Sequence, residues 1–273
     1  MLDLMSSTAE ANRDNNARGG GWRRRRWRPV RAVAWDFLDV HVAPGARVAV
    51  AGAGNADDLP LRRLVRRAAR VELHDLDAAA LARARRSAAG VRGGTMRTTV
   101  GDLTEGAADV IVAAAPAAPA ELVLPAAPLP GAPYDVVIAD LVLTQLLYPA
   151  LRRRGLDGGQ IDGVLLRDGQ RLTDAVVARL HASAPAGRVV ILHDLLGWWD
   201  GHPQPFALDD LLREAARDPA AAVRRARTGS LPYGADPWVA TRRAGARVVD
   251  TRLWRWPFAQ GADYLVCGLV TAR

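Results

Sequence analysis

The 273-residue sequence contains no lysine: all 37 of its basic Lys/Arg positions are arginine. That absence excludes a phosphate-binding loop of the Gly-Lys-Ser/Thr type. It also excludes a lysine Schiff base, and with it pyridoxal-phosphate chemistry. The Tyr/Lys catalytic pair of short-chain dehydrogenases is missing for the same reason. Cysteine is nearly absent. Cys267 stands alone, so no disulfide can form within the chain, and the expectation is a reducing, cytoplasmic setting. Aromatic residues make up only 5%. No long uninterrupted apolar run occurs. The most apolar stretch, residues 110–133, is broken by Pro116, Pro119, Pro125, Pro128 and Pro130 and carries Glu121, which makes it a poor membrane helix. The polar start of the chain lacks the basic and apolar regions of a secretory signal, and no membrane partner is expected.

What remains is a chain that is 49% hydrophobic and 24% charged, enough to bury one large globular core. Its formal net charge is +8. A basic balance raises the prospect of nucleic-acid or other anionic partners, although arginine in place of lysine is also a signature of GC-rich coding. Residues 1–21 are polar, aperiodic and end in three glycines, so disorder is expected there. Trp22-Arg23-Arg24-Arg25-Arg26-Trp27 follows. It reads either as an arginine and tryptophan clamp for an anionic partner or as a basic entry to the first helix, with its tryptophans packed on the domain. The division expected is a disordered basic arm over 1–28 and one globular domain over 29–273.

Along that domain strands and helices alternate. Pro29 opens a helix through Val30, Val33, Ala34, Phe37 and Leu38, stopped by Pro44-Gly45. Strands are expected at 47–51, 71–74, 95–100, 134–139 and 188–192. Helices are expected at 57–69, at 78–89 behind the capping Asp77, at 172–181, and around Leu208 to Ala215, with a short one inside 106–133. Residues 247–254 and 263–270 are two strands separated only by 257–262, too little for a crossover helix, so they pair antiparallel. The expected fold is α/β: a doubly wound, mostly parallel seven-stranded sheet with an antiparallel C-terminal hairpin strand.

Three loops carry the chemistry. Val48 to Ala51 runs into Gly52-Ala53-Gly54-Asn55-Ala56-Asp57-Asp58, a glycine turn that lets a ligand approach the backbone at the end of the first strand. Asp75 ends the second strand, at the spacing where a carboxylate accepts both hydroxyls of a ribose. Asp102 and Leu103 follow the third strand, where an acid and an apolar side chain can hold an adenine by its amino group and its face. Asp102 reads equally as part of an ordinary turn.

These elements, in this order, resemble the class I S-adenosylmethionine-dependent methyltransferases. Gly52-Ala53-Gly54 resembles their first motif, Asp75 their ribose acid, Asp102 their adenine-edge acid, and Tyr134 to Asp140 their fourth motif. The resemblance covers roughly Arg31 to Val270. It departs from the family at Val50, where an acid is common, and at Ala56, the third glycine position. It implies a Rossmann-like domain, S-adenosyl-L-methionine as cofactor, and a methyl-transfer reaction. Gly52, Gly54, Asn55, Asp58, Asp75, Asp102, Leu103 and Asp140 are then the cofactor residues. A dinucleotide oxidoreductase shares the turn and the acid, but its fingerprint wants glycine at position 57, which is aspartate here.

The acceptor is expected beyond the fourth and fifth strands. Asp140, His193 and Asp194 are the candidate bases, and Gln145, Tyr148, Trp198, Trp199 and His202 the candidate substrate contacts. The segment His193 to His202 is expected as a loop whose Gly197 and Gly201 let it move as a lid. The same residues can also be a packed histidine, a capping aspartate and buried tryptophans. No zinc-type ligand spacing is present, and no metal is expected. A small-molecule acceptor is expected. A nucleic-acid methyltransferase docking through Trp22 to Arg28, or a non-catalytic cofactor-binding protein, are the alternatives.

Overall fold

A computed structural model describes residues 7–18, 21–117, 121–202, 204–229 and 234–273. In chain order the helices are α1 (Ser7–Ala17), α2 (Gly21–Arg26), α3 (Arg28–Leu38), α4 (Leu61–Arg67), α5 (Ala78–Ser87), α6 (Ala107–Ala114), α7 (Tyr148–Arg153), α8 (Gly158–Val164), α9 (Gln170–Ser183), α10 (Leu208–Ala215), α11 (Pro219–Thr228) and α12 (Pro237–Arg243). The strands are β1 (Arg47–Ala51), β2 (Arg70–Asp75), β3 (Thr95–Val100), β4 (Val136–Asp140), β5 (Arg188–Trp199), β6 (Arg247–Ala259) and β7 (Ala262–Ala272). They form one seven-stranded sheet in the order β3-β2-β1-β4-β5-β7-β6. The first five strands run parallel, and β7 lies antiparallel between β5 and β6.

The alternation of side chains along each strand explains why both faces must be covered. Val48, Val50, Val136, Ile138, Val190, Leu192, Val266 and Val270 point to one face, where α3, α4 and α5 cover them. Ala49, Ala51, Val137, Ala139, Val189, Ile191, Leu265, Cys267 and Leu269 point to the other, under α9 to α12. A third apolar cluster joins α6, α7 and α8, with Ala11 of α1 inserted into it. The expected doubly wound sheet with a reversed strand is what forms. Among the described residues no helix is long and apolar enough to cross a membrane.

Four local expectations need correction. First, Ser7–Ala17 is a helix rather than disordered chain. Its order comes from polar tertiary bonds that composition does not reveal. Asp109 of α6 accepts the Ser7 hydroxyl (3.1 Å) and the Thr8 amide (3.0 Å), and Arg153 of α7 pairs with Glu10 and Asp14. The rest of that expectation, at residues 1–6 and 19–20, lies outside the described residues. Second, the helix expected from Asp57 begins only at Leu61, with Pro60 at its N-cap, so Asp57 and Asp58 stay in the turn. Third, β5 does not end at Leu192 but runs on to Trp199, held by β7. The segment beginning at His193 is therefore sheet rather than a lid. Fourth, the hairpin turns tightly at Gln260-Gly261. Pro257 sits within β6, the edge strand, where its missing N–H leaves no bond unmade.

The arginine and tryptophan segment is anchored to the fold through Arg23, Arg26 and Trp27, while Trp22 and Arg25 stay exposed. Arg26 donates to the Pro257 and Ala259 carbonyls, both at 2.8 Å. Trp27 is 4% exposed; its ring meets Trp256 edge-on at 5.0 Å and its Nε1 reaches the Pro257 and Phe258 carbonyls. Arg23 lies over the Trp27 and Phe258 rings, and Arg24 pairs with Asp57. This segment fastens the tip of the β6–β7 hairpin to the start of the domain. Trp27→Ala is expected to cost about 3–5 kcal/mol of folding stability, as for other large core truncations, read by urea denaturation. A loss within about 0.5 kcal/mol would make the segment the dispensable arm expected from composition.

Candidate functional site

The carboxyl ends of β1, β2, β4 and β5 open into a cavity of about 1350 Å3. In open α/β sheets this edge, beside the point where strand order reverses, is where ligands bind. Here the reversal lies between β1 and β4, the two strands that flank the glycine turn.

The turn is built for close approach. Gly52 has φ +73°, and a Cβ there would stand 2.5 Å from Val142 Cβ. Its amide and that of Ala53 donate to the His74 carbonyl, which fixes the turn to the end of β2. The next donor, Gly54 N–H, reaches Asp75 Oδ2 at 2.8 Å. Asp75 Oδ1 accepts the Asp77 amide at 2.9 Å and the Asn12 side-chain amide at 2.7 Å. A carboxylate has about four lone-pair sites, so one acceptor position on Oδ2 remains. Asp77, as expected, caps α5 by accepting from Ala79 and Ala80. Asn16 of α1 donates to Asp77 and lies over Gly54, so α1 forms a roof on this half of the cavity. Neither Asn12 nor Asn16 carried a signal in the sequence.

Asp102 and Leu103 line the same cavity, but the Asp102 carboxylate is engaged locally. It accepts the Thr104 amide and hydroxyl and the Gly106 amide, in the manner of the ordinary turn. The buried Arg179 of α9 donates to the Asp102 and Leu103 carbonyls and holds that turn in place. Asn55 is likewise occupied, between the Asn16 carbonyl and Arg83.

Asp140 differs from these. It ends β4, is 6% exposed, and lines the cavity; among the described residues no hydrogen-bond donor reaches its carboxylate. Leu141 behind it adopts φ +52°, a conformation costly for a branched side chain and typical of functional positions. Asp58 and Asp75 face the same space. Burial, then Asp58 and Asp75, push Asp140 well above the usual carboxylate range. Burial, with Asp57 adding to it, pushes Asp58 up to about 6. Among the described residues no group of three His, Cys, Asp or Glu side chains stands close enough to share a metal ion.

The far half of the cavity is set by one irregularity. The β5–β7 register shifts between Asp194 and Leu196, a β-bulge at Leu195. Beyond it Gly197 and Trp199, rather than Trp198, join Asp194 on the cavity wall. Trp198 points away and donates to the Phe206 carbonyl at 3.0 Å. His193 also faces away, against the Trp238 ring at 6.3 Å, and burial lowers it to about 4, so it is neutral. Of the three candidate bases, Asp140 and Asp194 reach the cavity and His193 does not. Of the five candidate substrate contacts, Gln145, Tyr148, Trp199 and His202 line it and Trp198 does not. Tyr264 of β7, unnoticed in the sequence, joins them; its only signal was its place on the strand that pairs with β5.

Asp194 accepts the Thr144 hydroxyl at 2.7 Å, and burial pushes it up to about 7. Between the ordinary carboxylate range and about 7, the folded protein holds a proton that the unfolded chain has released, so this group removes stability as pH rises through that window. Asp194→Asn keeps an oxygen for Thr144 without the charge. It is expected to melt above the parent protein at about pH 8 and together with it at about pH 4. A variant that melts lower at both pH values would show that the carboxylate is not strained by burial.

No family model matches the sequence, and no curated protein matches it. Among solved structures, the chain is similar to magnesium protoporphyrin IX methyltransferase from Synechocystis PCC 6803 with bound SAH. The identity is 16%, over 98% of this chain and 96% of that one, with a TM-score of 0.47. It is similar to a SAM-dependent methyltransferase from Methanosarcina mazei, at 9% identity, over 86% and 95% of the two chains, with a TM-score of 0.49. It is also similar to TrmN from Thermus thermophilus, at 17% identity, over 91% and 52%, with a TM-score of 0.42. The functional reading rests on the chemistry of the cavity itself.

Proposed function

We propose that the chain is an S-adenosylmethionine-dependent methyltransferase acting on a small-molecule acceptor. The observation that carries this is the set of acids that converge at the glycine turn. Asp58, Asp75 and Asp140 face one space, and one of them, Asp140, lacks any donor among the described residues. Such a site favours a ligand that is itself cationic. S-adenosylmethionine carries an ammonium and a sulfonium, whereas a dinucleotide would set its anionic pyrophosphate against Asp58 and Asp140. The helix after the turn points the same way. It starts at Leu61, beyond Pro60, and so offers no N-terminal amides at the turn for a phosphate.

The residues present fit the cofactor. The remaining acceptor position on Asp75 takes a ribose hydroxyl, and Asn12 shares or yields the other. Leu103 supplies an apolar face for the adenine. Asp58 and Asp140 meet the two cationic groups. The bound sulfonium supplies an activated methyl group, and the protein's work is to hold the acceptor in line with it. The cavity's size and partial enclosure suit a small acceptor.

Calorimetry tests this directly. S-adenosylmethionine is expected to bind, and NAD to give no heat. Asp140→Asn is expected to weaken S-adenosylmethionine about tenfold, equivalent to about 1.4 kcal/mol, and to affect S-adenosylhomocysteine, which lacks the sulfonium charge, much less. Binding of NAD without either adenosyl ligand would overturn the reading.

A further inference from the structure

The acceptor half of the cavity has two properties that together select a substrate class. The first is a continuous aromatic wall. His202 stacks on Trp199 with centroids 3.9 Å apart and planes within 5°. Trp199 meets Tyr264 at 6.0 Å, and Tyr264 meets Phe258 at 5.4 Å. Gly197 makes this possible. A Cβ on it would come within 2.5 Å of the Trp199 ring and 2.8 Å of the Tyr264 ring. The bulge at Leu195 turns that glycine and Trp199 toward the cavity.

The second property is charge. Apart from His202, stacked on Trp199, the ionisable groups that the described residues set into this wall are acids and phenols: Asp194, with Asp140 beyond it, Tyr264 and Tyr148. Burial first, then Asp194 and Tyr148, push the Tyr264 hydroxyl up to about 12, so it stays protonated beside Asp194. The arginines on the cavity do not offset this. Arg153 is paired with Glu10 and Asp14, Arg23 lies over the Trp27 ring, and Arg18 and Arg152 are solvent-exposed. An anionic acceptor, such as a carboxylate or a phenolate, set into the Asp194 corner would meet another carboxylate there. A neutral nitrogen carrying a proton meets a hydrogen-bond acceptor there.

We propose that the acceptor is a planar nitrogen base, an arylamine or an N–H heteroaromatic ring, lying flat on the Trp199–Tyr264 wall with its N–H on Asp194. This rests on the methyl-donor reading above. The nitrogen lone pair forms the new bond to the methyl carbon as the carbon–sulfur bond breaks. The sulfur keeps that electron pair and leaves as a neutral thioether. The nitrogen's proton passes to the Asp194 carboxylate and from there to water. Thr144, donating to the other side of Asp194, holds the carboxylate in position for that transfer.

The test uses matched probes on the full chain at about pH 8, where Asp194 is ionised. Aniline, 1-naphthylamine and 3-aminoquinoline, all neutral at that pH, are titrated against benzoate and 1-naphthoate, with S-adenosylhomocysteine saturating. Binding is read by calorimetry and by quenching of tryptophan fluorescence. At least one amine is expected to bind tenfold or more tightly than either carboxylate. Asp194→Asn is expected to erase that preference while leaving S-adenosylhomocysteine binding unchanged. Trp199→Ala, at a partly exposed position, is expected to weaken every ring probe and to reduce the quench. Carboxylates binding as well as the amines, no amine binding, or an Asp194→Asn variant that keeps the preference would overturn the acceptor class while the cofactor reading stands. Failure of S-adenosylhomocysteine itself to bind would overturn both.

Discussion

The Asp75 carboxylate holds the functional edge of this molecule together. It is 4% exposed and accepts from the glycine turn, from the amide that leads into α5, and from Asn12 of α1. Two of these donors, Gly54 and Asn12, come from parts of the chain 21 and 63 residues away. Leaving any one of them unmade would cost about 1–3 kcal/mol, because the carboxylate is already out of water. Burial pushes Asp75 upward while the three bonds pull it back. Burial wins, so the net shift is upward, and the group that organises the turn leaves one acceptor position open for a ligand.

Around it the charge is arranged in opposite senses inside and out. The chain is basic overall, with a formal charge of +8, yet the groups buried around the cavity are aspartates. Part of the basic excess is tied into structure: Arg26 on the hairpin carbonyls and Arg179 on the turn at Asp102. A cleft of one sign within low-dielectric walls concentrates ligands of the other sign. The net charge of the sequence therefore pointed away from the charge of the site. It suggested an anionic partner, whereas the cavity favours a cationic cofactor.

Much of the fold was legible because it depends on local rules. Short apolar runs gave the strands, Asp77 gave a cap, and the short gap between the last two strands required a hairpin. The glycine turn and Asp75 were legible for the same reason, as a strand end with a required backbone geometry. What was hidden depends on contacts distant in sequence. Ser7–Ala17 looked disordered because its order comes from Asp109, Asp75 and Arg153, more than sixty residues away. Trp198 and Trp199 could not be told apart because a single-residue bulge decides which of them faces the cavity. His193 and Asp194 looked like a pair, but neighbours on a strand point to opposite faces, and only Asp194 reaches the site. Tyr264 entered only through strand pairing.

The central claim is that this edge of the sheet is an adenosyl-cofactor site organised by Asp75. A crystal structure with S-adenosylhomocysteine tests it most directly. The account predicts the ribose on Asp75, the adenine against Leu103, and the sulfur turned toward Asp140 and the wall that carries Asp194. A ligand seated elsewhere, or one that enters the cavity with its ribose away from Asp75, would contradict it.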